Sequence, residues 1–136
     1  MGLTVRRSIT IVAIVTEQLK EDLRAEFQEA IDTTQRRIDQ MEFQSRRFLS
    51  DLQSTDLTQA MAARRQIEAE KRRHEALKQE LADQINEVEG LELGSEYPRG
   101  TVEGLVEVNV GDDLMKQAAG ASILMKDGVI IAIREG

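Results

Sequence analysis

The sequence predicts an α+β fold: a long antiparallel two-helix coiled-coil hairpin projecting from a small antiparallel β-sheet or partial barrel. The N-terminal strand and three C-terminal strands make up that β base. Three observations lead there. Residues 17–89 contain neither Gly nor Pro, the strongest helix punctuators. One short break, Ser54-Thr55-Asp56, divides that stretch near its middle. Alternating apolar runs flank it on both sides. The expected parts are therefore residues 1–16, an N-terminal strand of the β base; residues 17–89, the hairpin with its turn near 54–56; and residues 90–136, the remainder of the base.

Leu3 to Val15 alternates, with Leu3, Val5, Arg7, Ile9, Ile11, Ala13 and Val15 on one side and Thr4, Arg6, Ser8 and Thr10 on the other. That is a strand with one buried face. Its end, Ile9 to Val15, follows Arg6-Arg7 and superficially resembles an export signal. It is short, contains Thr10 and lacks a small-residue cleavage site, so a buried strand is the reading. No apolar run in the chain reaches the ~18 residues of a membrane span.

Glu, Gln, Arg, Ala and Leu dominate residues 17–89, and these lose little side-chain freedom in a helix. Thr16 is the expected N-cap of the first arm, and Gly90 the expected stop of the second. Each arm should run for about 35 residues, roughly 50 Å. The proposed seam of the first arm runs Leu19, Leu23, Phe27, Ala30, Thr34, Ile38, Met41, Ser45, Phe48, Leu52. That of the second runs Leu57, Ala60, Arg64, Ile67, Lys71, His74, Lys78, Leu81, Ile85, Val88. A turn centred on Thr55 would set Lys71 near Asp39, Lys78 near Asp32, and Arg64 against Arg46 or Arg47.

Beyond Gly90 the glycines multiply. Thr101 to Val110 alternates, and Gly104-Leu105 suggests a bulge. Asp112 can cap one helical turn through Ala119. Ala121 to Met125 and Val129 to Ile133 bracket Asp127-Gly128, a strong hairpin signal. About 60 residues in such a base bury little alone. A homo-oligomer, with a dimer favoured, is expected.

The ends of the chain carry a resemblance. Ile9-Thr-Ile-Val-Ala-Ile-Val15 with Thr16-Glu17, Gly90-Leu-Glu-Leu-Gly94, Gly100-Thr-Val-Glu103, Val110-Gly-Asp-Asp-Leu114 and Lys126-Asp-Gly-Val-Ile-Ile-Ala-Ile-Arg134 resemble the YlqD family of small bacterial proteins. The resemblance implies a bacterial, cytoplasmic protein with no assigned activity. It brings no catalytic or ligand residues to transfer.

The residues themselves offer no enzyme chemistry. Zero cysteines exclude disulfides and thiolate sites, and His74 is the only histidine, so neither a triad nor a His pair can form. Gly94 to Gly104 lacks the Lys-Ser/Thr end of a phosphate loop. Asp112-Asp113 offers too few ligands for calcium. No cofactor, metal, membrane or small-molecule substrate is expected. Charge is the remaining signal. The net charge is −7, yet Arg36 to Arg73 holds nine basic against six acidic residues, leaving +3 there and −10 elsewhere. Arg36, Arg37, Arg46, Arg47, Arg64, Arg65, Arg72 and Arg73 are the candidate contact residues. The first reading is a non-enzymatic interaction or scaffold protein presenting the charged hairpin to a protein partner. The alternative is a ribosome- or RNA-associated factor using those cations, with no stacking on bases expected of it.

Overall fold

The structure, a computed structural model, describes residues 1–135. In chain order its elements are β1 (Leu3–Ile14), α1 (Glu17–Gln53), α2 (Leu57–Glu89), β2 (Glu96–Val108), α3 (Leu114–Ala118), β3 (Ala121–Lys126) and β4 (Val129–Arg134). They divide into two units: Met1–Glu21 together with the chain from Leu91 onward, and Asp22–Gly90.

In the second unit, α1 and α2 pack against each other as an antiparallel hairpin. Asp56 ends one helix and starts the next. Its backbone N–H donates to the Leu52 carbonyl at 2.8 Å, and its carboxylate accepts from the Gln59 N–H at 3.1 Å. That is N-cap chemistry, meeting one of the four free donors of α2. The packed seam buries Leu23, Thr34, Ile38, Ala60 and Val88. Thr34 is tolerated there because its hydroxyl donates to the Ala30 carbonyl at 2.8 Å.

Three side-chain contacts across the arms set the register: Arg24 with Glu89, Lys78 with Gln35, and Lys71 with Glu42. All three are symmetric about the Asp56–Leu57 peptide rather than about Thr55. The expected lysine partners are corrected accordingly. Asp32 and Asp39 are instead held by Gln28 and Gln35 of their own helix, one turn earlier, at 3.0 and 2.9 Å. Three seam positions read from spacing are also corrected. Leu57, Phe48 and Arg64 are exposed. Leu57 is the first residue of α2, beside the turn, and the register sets Arg65 opposite Phe48, which borders a hollow open to solvent.

The first unit is a four-stranded sheet in the order β2-β1-β3-β4. The N-terminal strand and three C-terminal strands build it as expected, but it is mixed. β1 pairs antiparallel with β2 and parallel with β3, while β3 and β4 form an antiparallel hairpin. The reason lies in the connections. β2 enters beside the end of β1, where Val15 N–H donates to the Ser95 carbonyl and Gly94 N–H to the Val15 carbonyl, both at 2.8 Å. It returns the chain to the level of Leu3. α3, which touches β1 and β2, then crosses to the other side of β1. β3 must therefore run alongside β1.

Two local expectations move. α3 is capped by Asp113, which accepts from the Met115 and Lys116 N–H groups, while Asp112 takes the Asn109 N–H. The register shift between β1 and β2 falls between Ile11 and Val12, opposite Arg99, and not at Gly104-Leu105. The Asp127-Gly128 turn forms as read. Both residues sit at positive φ, 50° and 84°, the geometry that matches strand twist. Thr16 caps α1 by accepting the Leu19 N–H at 3.1 Å, and its hydroxyl donates to Asp127 at 2.6 Å. Val15, Leu19, Ala121 and Leu124 form the buried centre of this unit with Ala13.

Candidate interaction surface

The eight candidate arginines fall as four adjacent pairs on α1 and α2, in the half of the hairpin nearer the turn. All eight are exposed. Arg36 bonds Glu29 at 3.3 Å and the Thr33 hydroxyl at 3.0 Å. Arg72 donates through Nε to the Glu68 carbonyl at 3.3 Å, not to its carboxylate. Among the described residues, Arg37, Arg46, Arg47, Arg64, Arg65 and Arg73 make no ion pair or hydrogen bond within the chain. Their charge is held by solvent alone.

The helices bring some of them together. Met61, Arg64, Arg65, Glu68 and Arg72 line one open hollow on α2. Arg46 and Arg64 share a second with Glu42, Leu49, Glu68 and Lys71, although the register sets Arg64 opposite Leu49 and not opposite Arg46 or Arg47. Arg36, Arg37, Arg47 and Arg73 line neither hollow. A third hollow, between the arms, is largely uncharged: Met41, Ser45, Phe48, Ala63, Ile67 and Glu70 contribute to it.

Sequence reasoning missed the aromatics. Phe43 and Phe48 lie among the arginines and are 71% and 55% exposed. Met61 is exposed beside Arg64 and Arg65. The signal was available: Phe43 falls off the apolar seam, where helical spacing points a side chain away from the partner helix. The side chains that base stacking would need, left out of account when no stacking was expected, are therefore exposed beside the cations.

Lys71 anchors the middle of this surface. Its Nζ lies 2.5 Å from Glu42 Oε1, and both side chains are about one-third exposed. The hydrogen bond from Lys71 to Glu42, then the attraction of the Glu42 charge, raise the lysine above its ordinary 10.5; Glu68 and Glu75 add to this. Such a group stabilises the folded state fully below its unfolded value. The contribution is lost as pH rises through the higher folded value. Glu42→Gln should therefore lower the urea midpoint at pH 8, and its deficit relative to wild type should close above pH 10.5. Urea titrations at stepped alkaline pH check this; a deficit independent of pH would remove the ion pair as its cause.

In the sheet, Arg7 pairs with Glu135 at 3.0 Å. Its Nε is buried with no hydrogen-bond partner, a costly group in the β1 apolar row. Among the described residues no group of three or more His, Asp or Glu is placed to hold a metal ion. No helix is long and apolar enough to cross a membrane.

The fold and this surface define an α+β protein of two parts, a charged helical hairpin and a small mixed sheet, with open hollows along the hairpin. Comparison with known proteins gives the family. A sequence model described as YlqD protein matches residues 3–134, and the chain belongs to the YlqD family. It is 30% identical over 128 residues to the uncharacterized protein YlqD of Bacillus subtilis (strain 168), covering 93% of this chain and 94% of that one. A crystal structure of a protein of unknown function from Synechococcus sp. WH 8102 superposes with a TM-score of 0.84 at 26% identity, over 99% of this chain and 96% of that one.

Proposed function

We propose that this chain is a non-enzymatic interaction or scaffold protein of the bacterial cytoplasm. Its hairpin offers charged helix faces to a protein partner, and its sheet joins two copies. The observation that carries the reading is the set of six exposed arginines without internal partners, interleaved with exposed Phe43, Phe48 and Met61. Arginine and aromatic side chains together are what protein interfaces concentrate at their centres. A chain without cysteine suits a reducing compartment.

The test is capture from cell extract by the full chain and by a variant carrying Arg64→Glu, Arg65→Glu and Arg72→Glu, each with and without nuclease. The expected result is one protein held by wild type through nuclease treatment and reduced at least tenfold by the variant, whose helical signal is unchanged. Equal capture by both chains overturns the reading.

Exposed Phe43 and Phe48 keep the RNA-associated alternative in play, because bases stack on aromatic faces. It predicts capture abolished by nuclease. RNA affinity should also fall steeply with salt, each phosphate contact contributing ~0.7 to the logarithmic slope on a single strand.

A further inference from the structure

The two edges of the sheet differ in a way that points to a partner. β2, one edge, carries Glu96, Pro98, Arg99, Gly100, Glu103 and Glu107. Charge and proline on an edge are how proteins prevent strand addition. β4, the other edge, reads Val-Ile-Ile-Ala-Ile from Val129 to Ile133, a run with no charge, proline or glycine, and its charge is confined to its last residue, Arg134, which pairs with Glu96 of β2 at 2.7 Å. Val129 is 65% exposed and Ile133 66%, and Ile130 and Ile131 are also more than half exposed.

Two further observations say what covers this edge. First, the apolar rows of the sheet run off it: the ladders align Gly100, Ile11, Ile123 and Ile133 side by side, ending at Ile133 in solvent. Ile130 aligns with Met125, and Ile131 is the extra residue of the bulge between Ala132 and Ile130. Consecutive exposed residues expose both faces of β4. A partner stacked on one face would cover half of them; a strand added at the edge extends both. Second, each copy carries a net charge of −7, so two copies meet most readily along an uncharged surface, and the run from Val129 to Ile133 supplies one, the Arg134 charge being taken by Glu96 of the same copy. Among the described residues the sheet unit buries, of its apolar side chains, only Ala13, Val15, Leu19, Ala121 and Leu124, a centre small enough to gain from a second copy.

We propose that β4 pairs antiparallel with β4 of a second copy about a two-fold axis, joining two four-stranded sheets into one of eight strands. Such a contact is isologous and needs no other sequence. This inference rests on the two-copy reading above and assigns its surface.

Sedimentation of the full chain tests it. Wild type should sediment as a dimer at micromolar concentration, Ile131→Lys should weaken the dimer at least tenfold, and Leu105→Lys on the β2 edge should leave it unchanged. A dimer indifferent to Ile131→Lys overturns the β4 assignment and leaves the two-copy reading standing. A monomeric wild type overturns both. Should Ile131→Lys fail to fold by circular dichroism, single cysteines decide, since the chain has none of its own. Cysteine placed in turn at Ile130, Ile131 and Ala132 should give a disulfide-linked dimer on oxidation at the position nearest the axis, because opposed residues in an antiparallel pair stand about 4.5–5.5 Å apart. Cross-linking at none of the three, or equal cross-linking at Leu105→Cys, overturns the proposal.

Discussion

Ile38→Ala should cost the helical hairpin about 2–5 kcal/mol, the range for emptying a well-packed aliphatic site. Ile38 is 1% exposed and, with Leu23, is one of the two largest side chains wholly enclosed within the hairpin unit. The register places His74, Glu75 and Lys78 at its level. The second arm therefore offers polar side chains at that level, and a long one such as Lys78 covers apolar surface with its hydrocarbon stem. Such stems do not collapse into a cavity without dragging a charge with them, which argues for the upper part of the range. Leu77→Ala is the control: Leu77 is exposed, and its loss should stay within about 0.5 kcal/mol. Urea unfolding followed at 222 nm measures both. Equal midpoints for the two variants would remove Ile38 from the core.

The sheet has a comparably sensitive point where nothing but backbone is involved. A Cβ on Gly120 would stand 2.8 Å from the Ser8 carbonyl oxygen of the central strand. Ser8 cannot retreat, because β1 is paired on both sides, with β2 and with β3. Gly120→Ala should therefore cost about 1–3 kcal/mol through overpacking. Gly104→Ala brings a nominally closer collision, 2.5 Å, but with the Ile9 Cδ1 atom, the far end of a side chain that can rotate away. The expected order is Gly120→Ala much worse than Gly104→Ala, read as the melting temperature of the β signal. The reverse order would show that the β1–β3 seam is looser than drawn.

Much of this architecture could be read from residue types, and the failures share a cause. Helical composition without Gly or Pro, the Ser54-Thr55-Asp56 break, the alternating runs and Asp127-Gly128 are local signals, and each corresponds to an observed feature. What went astray depends on neighbours. Alternation assigns a side chain to a face but says nothing of which strand lies beside it, so the parallel β1–β3 ladder was hidden. The lysine partners failed because the turn centres on the Asp56–Leu57 peptide, which sets Lys71 at Glu42 and Lys78 at Gln35 and leaves the two aspartates to Gln28 and Gln35 of their own helix. Asp112 and Asp113 are equally good caps in sequence, and only the turn at Asn109 decides between them. For the candidate surface, the exposure of all eight arginines follows from their charge. The exposure of Phe48 required the register, which leaves it opposite Arg65.

β1 is the earliest strand along the chain and, like β3, is flanked by two others. Its hydrogen-bonding partners begin at Glu96 and Ala121. On a ribosome, every residue of both helices is made while that apolar ribbon has nothing to bond with. The loop whose closure lets β2 dock spans the entire hairpin, so helix formation shortens the search by bringing Val15 and Ser95 within reach. Chains halted before residue 96 would thus leave β1 as a bare, sticky thread, and nascent-chain aggregation should peak in that window of synthesis.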